Sequence, residues 1–440
     1  MKKLTKFGLA FVITLMVGTV LPVFNASMTV SAAEAAPEIE AAAAFIIEPT
    51  TGKVLLNQNG DEKLGIASMT KMISEYIIFE AVEKGDITWD QTIPISDYAH
   101  KVSQNNSLSN VPLRQDETYT IEELYQAMAI YSANGATIAI AEAIAGSEPE
   151  FVDMMREQVE SWGIKDYELY NSTGLSNSDL YGNLYPGSSE DSENAMSARD
   201  IAIVAQQLLK SYPEVLETTS IPVMNFKEGT SDEIKMENWN WMLSGLISER
   251  ENVDGLKTGT TDFAGATFTG TALENDIRII TVVMNVKDGQ KDLSKRFVET
   301  DKMMDWAFAN WEVTEAYQKN DVIKEVKPLA VNKGKADTVK VAAGSDISLL
   351  VPTGTDLENL KVTYQPKKEL LNEENQVSAP IKKADKVGTV QVTTADDELG
   401  YVNGDMGEEA EVVAAQTVEK ANVFVLAGRW IKGFVSNLIG

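Results

Sequence analysis

Apolar positions recur along the chain with two different periods. From Met69 onward, Met69, Met72, Ile73, Tyr76, Ile77 and Phe79 follow helical spacing with little polar relief, which predicts a buried helix ended by Gly85 and Asp86. Thr120 followed by Glu123 is a capping-box signature ahead of "LYQAMAIY", and "ATIAIAEAIAG" is a second apolar helix closed by Gly146. The tetrapeptide "SANG" is the tight connection between them. Ser197 and Asp200 open a further capped helix, "ARDIAIVAQQLLK". Short β-prone runs flank these helices: "AAFIIE" (43–48) and "KVLL" (53–56) around the turn "PTTG" read as a hairpin, and "RIITVVMNV" (278–286) as a strand. Helices framed by strands predict a mixed α/β domain over residues 34–312.

Near residue 313 the texture changes. Residues 313–412 carry short alternating runs, "TVKVAA", "ISLLVP", "LKVTYQP" and "VGTVQVTT", which predict a small all-β domain. In the tail, assigned to 416–440, Phe424, Ala427, Ile431, Phe434, Val435 and Leu438 share one helical face, while Arg429, Lys432 and Ser436 share another; Val425 and Leu426 fall off the stripe. The two cations interrupt the run before the roughly 20 apolar residues of a spanning helix. The tail is therefore expected to lie in a membrane interface as an amphipathic helix, with Trp430 at the headgroup level, rather than to dock on the protein's own surface.

The first residues join a Lys-rich start to an apolar stretch and a small-residue exit, the layout of a secretory signal peptide over residues 1–33, with cleavage after Ala32 or Ala33. The expected location is thus the cell envelope, at the outer face of the cytoplasmic membrane. The 440 residues contain 44% hydrophobic and 24% charged positions, an ordinary globular balance. There is no cysteine, so thiolate nucleophiles, thiolate metal sites and disulfides are excluded. The net charge of −28 becomes −31 once Lys2, Lys3 and Lys6 leave with the signal, which makes nucleic acid an unsuitable partner.

His100 is the sole histidine, in a stretch without partner pattern, and reads as structural or surface. One histidine cannot build a His-rich metal site, and it serves a Ser-His-Asp triad only if a serine and an acid converge on it. An activated serine here needs another base, and lysine is the main remaining option. Ser68 and Lys71, in "ASMTK", stand three apart at the head of the buried helix, so the amine reaches the hydroxyl about one turn along. The unpaired N–H groups of the helix start favour an oxyanion forming at Ser68. Lys71 must be neutral to take a proton; burial and a second lysine nearby both act in that direction. S-x-N occurs at Ser103, Ser132 and Ser192, and only Ser132-Ala133-Asn134 falls between two buried helices. Lys257-Thr258-Gly259, followed by Thr260, occurs once, and Gly259 leaves one side of its segment bare for a substrate backbone to lie against as an added strand. Each motif alone is as compatible with a helix cap, a loop or a solvated strand end.

In this order, "SMTK", "SAN" and "KTGT" resemble the penicillin-binding proteins and serine β-lactamases. "YSANGATIAIAEAIAG", "YNSTGL", "NWNWML" and "VDGLKTGTTDFAGATFTGTA" are similar to the low-molecular-mass D-alanyl-D-alanine carboxypeptidases. The resemblance implies a β-lactamase-like domain of antiparallel sheet and helical cluster, no cofactor, peptidoglycan stem peptides ending in D-Ala-D-Ala as substrate, and β-lactams as covalent inhibitors. It also implies roles: Ser68 as nucleophile, Lys71 as base, Ser132 as relay to the leaving amine, Asn134 orienting the acyl side chain, Lys257 and Thr258 receiving the substrate carboxylate, and the N–H groups of Ser68 and Thr260 as oxyanion hole. Two departures stand out. Thr260 occupies a position that is often His in these enzymes, and Glu168, Glu190 and Glu193 lie in no recognisable deacylating setting, which disfavours β-lactam hydrolysis. A related β-lactamase or endopeptidase is the enzymatic alternative, separable by the lifetime of a penicilloyl adduct; a catalytically idle wall-binding scaffold is the other.

Overall fold

The computed structural model describes residues 34–402, 404 and 409–428. Five antiparallel strands form the central sheet in the order Lys53–Gln58, Ala41–Glu48, Ile277–Val286, Gly265–Glu274, Val253–Thr261. The predicted hairpin provides the first two strands and the predicted "RIITVVMNV" strand lies at the centre. Side chains alternate across a strand, and here both faces are buried. Ala43, Phe45 and Ile47 join Ile280, Val282 and Met284 in the core shared with the helical cluster. Ala44 and Ile46 join Ile279 and Val283 on the opposite face, against Phe297, Met303, Met304 and Ala307 of the helix Lys295–Asn310.

The helical cluster follows the sequence pattern closely. The helix Lys71–Lys84 is closed by Gly85 at φ 77°, a left-handed cap suited to glycine. Both capping boxes form, Thr120 with Glu123 at the start of Ile121–Tyr131 and Ser197 with Asp200 at the start of Ala198–Ser211. Helix Asn134–Ala145 begins three residues after the first of these ends.

The β domain starts as soon as the helix Lys295–Asn310 ends, with strand Trp311–Tyr317 paired to Ile347–Pro352. A four-stranded sheet and a three-stranded one enclose its own core of Val339, Val341, Val390 and Val412. Residues 416–421, read from the sequence as the start of the tail, belong to this domain instead. Val418 is buried and bridges Ile381, and Lys420 bridges Gly334. The helical turn at 423–428 follows, and the remainder of the expected amphipathic helix, like the signal segment 1–33, lies outside the described residues. No helix among the described residues is long and apolar enough to cross a membrane.

The two domains meet along the outer strand of the sheet. Val54 N–H donates to Gly400 O and Val402 N–H to Gly52 O, at 3.0 and 2.9 Å, so the loop at 400–402 covers part of that edge. The opposite edge strand, Val253–Thr261, carries the Lys-Thr-Gly motif.

Candidate active site

Ser68 sits in a single 3-10 turn, Ala67–Thr70, that leads into the helix Lys71–Lys84. Lys71 is completely buried. Its Nζ lies 3.0 Å from Ser68 Oγ, 2.8 Å from Asn134 Oδ1 and 2.8 Å from the Thr173 carbonyl. The Asn134 amide is oriented by its other end, Nδ2 donating to Ser109 O at 3.0 Å, so Oδ1 faces the lysine. A neutral amine has two N–H bonds and one lone pair. Asn134 Oδ1 and Thr173 O can only accept, so they take both N–H bonds and leave the lone pair for the Ser68 hydroxyl. Burial, together with the nearby Lys257 cation, holds the Lys71 amine well below the ordinary lysine range, against the opposing pull of Glu75 and Glu148.

Thr173 is held in place by a buried polar loop. Asn171 Oδ1 accepts from Thr173 N, Thr173 Oγ1 and Gly174 N at 3.1, 2.9 and 2.7 Å. Glu148, wholly buried at the start of helix Glu148–Ser161, accepts from Ser172 N and Oγ at 2.9 and 2.6 Å and from Tyr98 OH at 2.6 Å. Ser74 Oγ donates to Ser172 O at 2.8 Å. Gly174 has φ 80°, and a Cβ there would fall 1.8 Å from Ala67 O, the residue before the serine. This contact explains why "NSTG" has the composition it has: only glycine lets the loop close on the turn bearing Ser68.

Ser132 caps the helix Ile121–Tyr131 in a left-handed conformation, φ 59°, and its buried Oγ has no hydrogen-bond partner among the described residues. The left-handed geometry is a common way to end a helix, here at a residue other than glycine. Lys257 and Thr258 are buried on the edge strand, with Lys257 lowered from the ordinary lysine range by burial. Ser68, Ser132, Asn134, Thr258, Gly259 and Thr260 all line one cleft of about 250 Å³, with Leu175, Trp239 and Arg296 among its other walls. The eight residues singled out in the sequence therefore converge, Lys71 and Lys257 beneath the cleft and six on its surface. A larger cavity of about 470 Å³ lies at the domain seam and is lined by none of them, so chemistry rather than size selects the site.

The structure changes one reason and adds several residues. The open side of Gly259 faces the protein and not a substrate: a Cβ would meet Thr267 Oγ1 at 2.5 Å and Ile66 O at 2.8 Å, so glycine is required for the serine-bearing turn to approach the strand. The strand is nevertheless at the sheet edge, where an added strand can pair. Arg296 was not visible as a site residue. Its buried guanidinium donates to Gly259 O, Thr260 Oγ1 and Thr267 O at 2.9, 3.0 and 3.2 Å, and none of these is a carboxylate. Burial lowers it to about 10. His100 stays outside the cleft, its Nδ1 2.7 Å from Leu113 O. Glu168, Glu190 and Glu193 do not line the cleft; Glu193 accepts from Thr261 Oγ1 at 2.7 Å, and Glu168 pairs with Lys63 at 3.2 Å.

Comparison with known proteins gives two family matches that together span most of the described chain. Residues 29–288 match the peptidase S11, D-alanyl-D-alanine carboxypeptidase, model, and residues 311–420 match the C-terminal domain of penicillin-binding protein 5. The D-alanyl-D-alanine carboxypeptidase DacF of Bacillus subtilis is 32% identical over 89% of this chain and 90% of its own length. The crystal structure of a peptidoglycan synthesis regulatory factor (PBP3) from Streptococcus pneumoniae superposes with a TM-score of 0.72 at 38% identity, covering 87% of this chain and all of that one. Penicillin-binding protein 5 from Haemophilus influenzae gives 0.65 at 26% identity over 88% of this chain and all of its own.

Proposed function

Because the chain belongs to the peptidase S11 family of D-alanyl-D-alanine carboxypeptidases, whose members are serine-type hydrolases, we propose that Ser68 is the nucleophile and Lys71 its base. The protein is a penicillin-binding, serine-type D-alanyl-D-alanine carboxypeptidase with a mixed α/β catalytic domain and an all-β C-terminal domain. The observation that carries the residue roles is the accounting at Lys71: two neutral acceptors and one hydroxyl around a buried amine.

In this reading the lone pair of Lys71 takes the Ser68 proton as Oγ adds to the carbonyl carbon of the terminal D-Ala-D-Ala amide. The electron pair moves to the carbonyl oxygen, which the N–H groups of Ser68 and Thr260 receive. Collapse expels D-alanine as an amine that gains its proton through Ser132, whose Oγ is otherwise uncommitted. Water then hydrolyses the acyl-enzyme. Asn134 holds Lys71 as well as facing the acyl side chain. The free carboxylate of the substrate meets Thr258 and the cations Lys257 and Arg296, an attraction that strengthens as water leaves the cleft. Penicillins carry a carboxylate in a similar place and acylate the same serine.

Ser68→Ala is expected to abolish D-alanine release and the penicilloyl adduct seen by intact mass, with circular dichroism unchanged. Release at the unaltered rate refutes the assignment.

The chain is exported through a signal peptide at residues 1–33, with a catalytic domain over 34–312 and a β domain behind it, and it is held at the outer face of the membrane by the segment after Ala421. In support, Val423 and Phe424 at the start of that segment are 78% and 86% exposed, apolar side chains that no other described residue covers. Deleting residues 422–440, which spares the buried Val418, is expected to move the enzyme to the soluble fraction with activity on soluble peptide intact. Unchanged membrane fractionation sinks the anchor.

A further inference from the structure

One buried acid has no part in the chemistry described above. Glu75 lies four residues after Lys71 on the same helix, which stacks the two side chains on one face about one turn apart. Glu75 is completely buried, and neither carboxylate oxygen has a hydrogen-bond partner among the described residues. Burying a carboxyl without a donor is among the more costly arrangements a protein can adopt, so its presence calls for a reason.

The groups around it supply one. Lys71 faces it from its own helix, and Lys257, from the edge strand, acts on it electrostatically. Tyr125, from the helix Ile121–Tyr131, also feels its charge. Arg296, on the helix Lys295–Asn310, acts on Lys257, and Glu148, at the start of the helix Glu148–Ser161, acts on Lys71. The reaction requires Lys71 neutral and Lys257 cationic at the same pH, although both amines are buried and each penalises charge on the other. Neutral Lys71 relieves Lys257 of the repulsion but not of its burial, and Glu75 is the anion that opposes that burial at Lys257.

We propose that Glu75 is a positioning residue: an unlocked internal counter-charge that keeps Lys257 cationic while Lys71 is neutral, and so sets the pH window of the enzyme. The proposal rests on the roles given above to Lys71 and Lys257. The missing hydrogen bonds are what suit Glu75 to this work. A carboxylate bonded to Lys257 would compete with the substrate carboxylate for it, and one bonded to Lys71 would hold that amine protonated. Acting through space, Glu75 supports the charge without occupying either amine. Burial raises the Glu75 carboxyl above the ordinary carboxylate range, and the two lysines oppose that rise, so it responds to their charge state near neutrality.

Removing a negative charge lowers the pKa of both amines. Glu75→Gln is therefore expected to move the alkaline limb of the kcat/KM profile, where Glu75 is ionised, toward lower pH by about one unit, giving up to about tenfold loss on the alkaline side, with a smaller move of the acid limb in the same direction because Glu75 is already largely protonated there. Glu75→Leu, which removes the charge and leaves no new donor unsatisfied, is expected to shift the limbs in the same direction. A merely structural role would lower Tm and leave both limbs where they are. In the unaltered protein, carboxyl-detected NMR should show Glu75 titrating above the ordinary carboxylate range and rising further when benzylpenicillin places its carboxylate at Lys257. Unmoved limbs in the folded variants, or an ordinary Glu75 titration that penicillin leaves unchanged, overturn the proposal. A penicilloyl adduct elsewhere than Ser68 overturns the roles it builds on, which is a separate result.

Discussion

Lys53 and Lys71 are both buried, 5% and 0% exposed, yet they stand at opposite ends of what a buried amine can do. At the domain seam, Lys53 Nζ is 2.7 Å from Asp397 Oδ1 and also donates to the carbonyls of Val54 and Gly400 at 3.1 and 3.2 Å. The rings of Trp311 and Tyr401 lie 5.4 and 5.3 Å away, adding cation–π attraction. In the cleft, Lys71 has three partners too, but all are uncharged, and the nearby Lys257 repels its cation. Burial pushes both amines down, and at Lys53 the carboxylate pushes back. Depth alone therefore does not make a base. A buried lysine becomes one where its acceptors are neutral and one hydroxyl is left facing its lone pair, and it becomes a fastener where a carboxylate closes on it.

The largest test of this contrast is Lys71→Met, which keeps most of the side chain's length and removes the amine with its lone pair. The expected loss in kcat/KM is about a thousandfold or more, with penicillin acylation falling in parallel and only a small change in Tm. If activity persists while Tm collapses, Lys71 is a fastener as well, and the contrast is lost.

The two lysines were also unequally legible in the sequence. Lys71 declares itself because its hydroxyl partner is three residues away on the same turn, and helical spacing is a local property. The capping boxes and the "SAN" connection were readable for the same reason. Everything that makes Lys71 neutral is remote: Asn134 is 63 positions away and Thr173 is 102. Local pattern placed Asn134 in a connection between helices but said nothing of its bond to the lysine. Arg296 escaped because its partners, Thr260 Oγ1 apart, are backbone carbonyls, which leave no trace in composition. Gly259 was read as an opening toward substrate when the neighbour it accommodates is the protein's own turn. Lys53 and Asp397 are 344 positions apart, and nothing in "KVLL" or "TTADDE" couples them. The tail boundary slipped for a similar cause, since remote bridges, Val418 to Ile381 and Lys420 to Gly334, decide it.

The smaller effect is expected at the seam, and it runs in the opposite sense. Lys53→Met leaves Asp397 half-buried with only Gly400 N–H and Thr393 Oγ1 as donors among the described residues, at 3.0 and 3.2 Å, which is expected to cost about 1–3 kcal/mol of stability, read as a lower denaturation midpoint, while kcat/KM of the folded fraction stays within about twofold. Replacing both partners, Lys53→Met with Asp397→Leu, removes the desolvation of two ions along with their attraction. Apolar surface from Trp311 and Leu350 is already in place around them. The double variant is therefore expected to recover most of the loss. Such recovery would show that the pair fastens the 400–402 loop to the sheet edge without tuning the cleft. If the double variant instead stays as unstable as the single one, the seam depends on the charges themselves. If it loses catalysis while folded, the two regions are coupled, and the distinction between fastener and base has to be redrawn.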